Sequence, residues 1–77
     1  MGKKSFKYDK ILVKKFGKRV ANLRKEQCIT QDELAFKANI STSYLSAIER
    51  GITDTTISTA KRLAKALKIN LSDLFVF

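Results

Sequence analysis

From residue 9 onward, the apolar positions of this chain recur at steps of three and four. Leu12, Phe16, Val20 and Leu23 fall on one face of a helix running roughly from Asp9 to Glu26, with Lys10, Lys14, Lys18 and Lys25 opposite. Asp9 is placed to cap its start, and Gly17 weakens its middle by about 1 kcal/mol relative to alanine. The stretch ITQDEL then sets Thr30 at an N-cap with Glu33 three residues on, the reciprocal pair of a capping box. Ile29 and Leu34 flank that box as a hydrophobic staple. Asp32 and Glu33 also lie in the first turn, where the helix dipole favours negative charge. This second helix is expected from Gln31 to about Ala38.

Only Asn39, Ile40 and Ser41 separate it from the next helix. Asparagine enters the left-handed region more readily than other non-glycine residues, so Asn39 ends one helix and redirects the chain. Ser41 caps a third helix, about Thr42 to Arg50, and Ile40 with Leu45 repeats the staple before Gly51 stops it. Thr56 caps a fourth helix, Ile57 to about Leu67, with an apolar stripe of Ile57, Ala60, Leu63, Ala64 and Leu67. Asn70 and Leu71 turn the chain, and Ser72 caps a last short helix ending at LFVF. No strand alternation, repeat or low-complexity segment intervenes. The pattern predicts an all-α fold: a compact five-helix bundle, one domain over residues 9–77, behind a basic arm at 1–8.

Charge changes this picture more than composition does. The 77 residues carry a net charge of +9. Residues 1–26 hold ten lysines and arginines against Asp9 and Glu26, whereas residues 27–77 hold six against five. A merely solvated face mixes signs, so the imbalance points to a polyanion, nucleic acid ahead of a membrane surface. With no histidine and one cysteine, and with the acidic residues committed to caps or pairing, no nucleophile–base pair or metal cluster can be assembled. Neither an enzyme, a metal nor a cofactor is therefore expected. Cys28 has no disulfide partner within the chain, which fits a reducing, cytoplasmic setting. It is expected as a small, partly buried residue near a helix end. No apolar run is long enough to span a bilayer, no targeting signal is read at the N-terminus, and no small-molecule pocket or sensor domain is legible.

Two short helices joined by a three-residue turn form a helix-turn-helix over about residues 31–50, and so short a link forces a steep crossing. Ala35 supplies the small side chain such a crossing needs. Leu34, Ile40, Leu45 and Ile48 are spaced to bury together, which leaves Thr42, Ser43, Ser46, Ala47 and Arg50 on the outward face. The stretch TQDELAFKANISTSYLSAIERG, followed by TTISTAKRLAKALKINLSDLF, resembles the Cro/repressor-type helix-turn-helix family of phage repressors and many bacterial regulators. The run ELAFKA…SYLSAIERG is also similar to the small controller proteins of restriction–modification systems, and antitoxins share the pattern. The resemblance spans about residues 16–75 and implies a lambda-repressor-like DNA-binding domain. It further implies that Gln31 donates to a DNA phosphate, that the N-terminal half of the third helix reads base edges, and that Arg24 pairs with Glu49. Asn39 stands where glycine is more usual, and Thr55 where proline often precedes the fourth helix.

Elementary chemistry agrees with the implied roles. The hydroxyls of Thr42, Ser43 and Ser46 can donate or accept at any base edge, and Ala47 can contact a thymine methyl. Tyr44 and Arg50 are placed for phosphates, and the lysines of the first helix and arm add a longer-range field. The expected function is a sequence-specific transcriptional regulator of double-stranded DNA, bound as a homodimer on a palindrome. Leu71, Leu74, Phe75, Val76 and Phe77 are its candidate dimer surface, although Leu71, Leu74 and Phe75 equally suit a cap on the core. Phe36 looks outward from the second helix and is expected to pack under the arm. The competing class is an antitoxin-like or adaptor module whose apolar end binds a protein partner, with DNA binding secondary. A basic amphipathic membrane-surface binder ranks below it.

Overall fold

A computed structural model describes residues 9–77; the basic arm proposed for residues 1–8 lies outside them. Four α-helices, α1 (Lys10–Glu26), α2 (Gln31–Ala38), α3 (Thr42–Glu49) and α4 (Ile57–Ala66), are followed by a 3-10 helix, Leu71–Phe75. Each α-helix starts on the side-chain cap expected of it. Asp9 accepts from the Leu12 amide, Ser41 from the Tyr44 amide and Thr56 from the Thr59 amide. Thr30 and Glu33 close a full capping box. The fifth element is 3-10 rather than α, and the chain enters it at Asn70 instead of Ser72: the Asp73 carboxylate accepts from the Asn70 amide.

All four α-helices end in one way. Cys28, Asn39, Gly51 and Lys68 adopt left-handed backbone, with φ of 58°, 58°, 71° and 60°. In each case the next residue's amide reaches back to a carbonyl of the final turn: Ile29 to Arg24, Ile40 to Ala35, Ile52 to Ala47 and Ile69 to Ala64. This is the Schellman closure. The residue in that position is isoleucine every time; Ile29, Ile40 and Ile69 pack on the core, whereas Ile52 is exposed. Cys28 is therefore exposed at a helix terminus, not partly buried.

The core joins Phe16, Val20 and Leu23 of α1, Leu34, Ala35 and Ala38 of α2, Leu45 and Ile48 of α3, Ala60, Leu63 and Ala64 of α4, and Leu67 and Leu74. Two apolar phases differ from the sequence pattern. On α1, Val13 is buried and Leu12 is largely exposed, because the inward stripe continues through Gly17. On α4, Ile57 is 81% exposed, because the helix begins beyond the edge of the core. Leu74, a candidate for the dimer surface, is fully buried and belongs to the core. Helix α1 acts as the spine of the bundle. Just past its end the Gln27 side-chain amide donates to the Leu67 carbonyl that closes α4, and Arg19 Nε donates to the Asp73 carbonyl of the 3-10 helix.

Gly17 sets how closely α3 approaches that spine. A Cβ there would overlap the Ile48 carbonyl oxygen and come within 3.1 Å of the Glu49 oxygen. Gly51 is constrained similarly, since a Cβ would lie 2.8 Å from Lys14 Cα on a backbone with φ +71°. Helix propensity alone gives Gly17→Ala a gain of about 1 kcal/mol. Overlap with a backbone carbonyl reverses that sign, at a cost of about 1–3 kcal/mol. Thermal unfolding of Gly17→Ala is expected to show a melting temperature several degrees below the wild type; a higher one would contradict the close approach.

Candidate nucleic-acid interface

The turn between α2 and α3 is closed by Asn39 in the left-handed region, which allows the two helices to cross within three residues. The inward residues Leu34, Ala35, Leu45 and Ile48 are all buried, and Ile40 is half-buried against them. The opposite face of α3 follows from this. Thr42 and Ser43 are exposed, Ser46 and Ala47 are half-buried, and none is charged. Arg50 is exposed at the end of the helix, with its Nε donating to the Ser46 carbonyl at 3.3 Å. Tyr44 is half-buried with its ring on the core, so only part of it is available to a ligand.

Behind this face lies a buried polar cluster. Arg24 Nε and Nη2 donate to the two carboxylate oxygens of Glu49 at 2.8 and 3.0 Å, a forked geometry. Arg24 Nη1 donates to the Ile29 carbonyl at 2.9 Å, and Gln31 Nε2 donates to Glu49 Oε1 at 2.9 Å. The side chains of Arg24 and Glu49 are 13% and 5% exposed. Hydrogen bonding to Glu49 raises the Arg24 guanidinium above its ordinary basicity, burial opposes this, and the carboxylate charge assists. The cluster ties the end of α1, the start of α2 and the end of α3 together. Gln31, expected at a phosphate, thus has one amide proton committed to Glu49 and one left to donate outward.

Two contacts were not anticipated from the sequence. The Thr42 hydroxyl donates to Asp32 Oδ1 at 2.8 Å, across the turn from the first turn of α2 to the first residue of α3. The Lys14 stem lies against Gly51, which brings a lysine of α1 to the end of α3. The remaining exposed cations of α1, Lys10, Lys15, Lys18 and Lys25, lie on its solvent side.

Comparison with known proteins bears on this geometry. A helix-turn-helix family profile matches residues 20–74 of the chain. The chain belongs to the helix-turn-helix family. Such motifs dock on double-stranded DNA, and this chain is a DNA-binding transcription regulator of that kind. It is 46% identical over 56 residues to the immunity repressor protein of Bacillus phage phi105, a match covering 73% of this chain but 39% of that protein. It is 32% identical over 63 residues to the control protein C.BamHI of Bacillus amyloliquefaciens, covering 80% of this chain and 78% of that one. Among solved structures, the restriction–modification controller protein C.AhdI of Aeromonas hydrophila superposes with a TM-score of 0.81 at 35% identity. That match covers 82% of this chain and 96% of the controller.

Removing one member of a buried, hydrogen-bonded pair leaves the other charge unpaired, at a cost of about 3–5 kcal/mol. Loss of an exposed capping partner costs about 0.5–2 kcal/mol. Glu49→Ala is therefore expected to lower the melting temperature clearly more than Glu33→Ala. Equal melting temperatures would remove the structural role assigned to Glu49.

Proposed function

We propose that this helix-turn-helix regulator binds a palindromic site in double-stranded DNA as a homodimer, with α3 in the major groove. Thr42, Ser43, Ser46 and Ala47 meet base edges, while Gln31, Tyr44 and Arg50 hold the flanking phosphates. The observation that carries this is the uncharged face of α3, set on a chain of net charge +9. The α1 cations attract any duplex equally, whereas short hydroxyls and a methyl make contacts that depend on the base they meet. One recognition helix covers only a few base pairs, so two half-sites about 34 Å apart supply the required length. Relatives named as an immunity repressor and as a control protein support repression or control of transcription as the biological role. The protein acts in the cytoplasm and needs no cofactor on this account.

The apolar end of the bundle is assigned to the dimer. Phe75, Val76 and Phe77 are exposed and Leu71 is half-exposed. Ring contacts run outward from buried Phe16 to Phe75, at 5.3 Å between centroids, and on to Phe77 at 6.5 Å. Beside them, Leu12, Val13, Ile57 and Ala60 line a groove of about 410 Å³. The same surface suits the competing adaptor reading, in which a different chain covers it and DNA binding becomes weak and indifferent to sequence.

Selection from a random DNA pool at near-physiological salt separates the two: a palindromic consensus supports the regulator dimer, and no enrichment supports the adaptor. On the enriched site, Arg50→Ala is expected to weaken binding to all sequences alike and to reduce the salt slope by about 1. Ser43→Ala is expected instead to alter which base is preferred. A variant lacking the hydroxyls of both Thr42 and Ser43 that still selects the same site would overturn the base-reading assignment.

A further inference from the structure

Most hydroxyls on the recognition face carry no fixed polarity. Ser43 and Ser46 have no intramolecular side-chain partner among the described residues, so each can rotate to donate or to accept. Such a group still distinguishes bases by position and shape, but less sharply than one of fixed polarity, because it can meet a base donor or a base acceptor. Ser41 is spent as a cap, accepting from the Tyr44 amide at 3.0 Å. Thr42 differs. Its partner Asp32 is a carboxylate, an acceptor only when ionised, so the single hydroxyl proton must point along the 2.8 Å contact. The lone pairs of Thr42 Oγ1 then remain for the ligand.

Asp32 adds a second constraint. It is exposed, and among the described residues no lysine or arginine pairs with it. An uncompensated carboxylate is repelled by a phosphate, so a direct contact of Asp32 with the ligand favours a base edge over the backbone that neighbouring Gln31 is assigned to. Its free oxygen is also an acceptor, matching the lone pairs of Thr42. In the major groove the complementary groups are the exocyclic amines, N4 of cytosine and N6 of adenine. The acceptors of guanine and thymine, O6, N7 and O4, meet like with like.

We propose that Asp32 is a specificity-determining residue of the DNA site. By holding the Thr42 proton, it makes Asp32 and Thr42 an acceptor-only pair that selects an amine-bearing base, cytosine or adenine, at one position of each half-site. The assignment rests on α3 entering the major groove with Thr42 toward the bases. It gives Asp32, whose place in the first turn of α2 is already explained by the helix dipole, a role in recognition as well.

The test is pool selection with the wild type, Asp32→Ala, Thr42→Val and the double variant, each first checked for folding by thermal melting. Asp32→Ala frees the Thr42 proton, so the preference for cytosine or adenine at one position per half-site is expected to fall about tenfold while the other positions are unchanged. Thr42→Val is expected to lose preference at that same position, and the double variant to lose little more than the larger single effect. If Asp32→Ala keeps the wild-type base at every position, or loses preference evenly across the site, Asp32 is only a contact within the protein and the proposal is overturned. On the selected duplex, replacing the adenine or cytosine of the Thr42-dependent pair by an analogue that lacks the exocyclic amine (purine or 2-pyrimidinone) is expected to lower wild-type affinity about tenfold, and unchanged affinity overturns the proposal equally. Failure of the wild type to enrich any site would instead remove the DNA-reading function on which it rests.

Discussion

One buried ion pair carries the geometry on which everything else depends. Arg24 and Glu49 are nearly excluded from water, and their forked contact is completed by the Ile29 carbonyl and the Gln31 amide. These four groups come from the end of α1, the α1–α2 link, the start of α2 and the end of α3. Apolar packing alone is non-directional and tolerates sliding. A guanidinium fork on a carboxylate does not, because a small rotation of α3 would leave a charge buried and unpaired. The cluster is matched by a steric limit from the other side. Gly17 lets the backbone of α3 rest on α1 at the Ile48 and Glu49 carbonyls, and nothing larger than hydrogen fits there. Electrostatics and sterics thus specify one position for the helix that carries the outward hydroxyls.

That arrangement separates attraction from discrimination. The cations lie mainly on the exposed side of α1 and beyond it toward the N-terminus, whereas the outward face of α3 is neutral until Arg50. Phosphate contacts dominate affinity and carry no sequence information, so further charge on α3 would raise binding to every duplex. The cost of a neutral face is weak individual contacts. The Asp32–Thr42 hydrogen bond offsets part of that weakness by fixing the direction of one hydroxyl before any ligand arrives, which is preorganisation at a single atom.

Much of the fold was legible because local signals agreed with one another. The capping box at Thr30 and Glu33, the caps at Asp9, Ser41 and Thr56, and the left-handed turn at Asn39 are all short-range features, and the structure has each of them. Features set by tertiary contact were read wrongly or missed. Gly17 reads as a helix weakness in isolation, and only the α3 backbone above it explains it. Leu12 fits the apolar period of α1 but yields the inward stripe to Val13 and Gly17, and Ile57 lies past the edge of the core, so period alone misplaced both. Leu74 was weighed for both core and interface, and its complete burial decides for the core. The left-handed backbone at Cys28 and Lys68 left no mark in those residue types; the isoleucine following each such position was the available signal. Within the candidate site, the outward residues of α3 followed from the helix period. The Asp32–Thr42 contact did not, because it joins residues ten apart across a turn whose geometry the pattern does not supply.

If the ion pair positions α3 rather than merely stabilising it, a replacement that preserves stability should still disturb recognition. Arg24→Met combined with Glu49→Leu exchanges the buried charges for apolar groups of similar volume, a change that is often neutral or stabilising. The decisive measurement is the ratio of this variant's affinity for the selected site to its affinity for unrelated duplex, made alongside its melting temperature. The account predicts a variant that stays folded at the assay temperature, unchanged affinity for unrelated duplex and a ratio lower by about tenfold, equivalent to 1.4 kcal/mol of lost discrimination. An unchanged ratio in a stably folded variant would contradict it, because the recognition helix would then be placed by apolar packing alone.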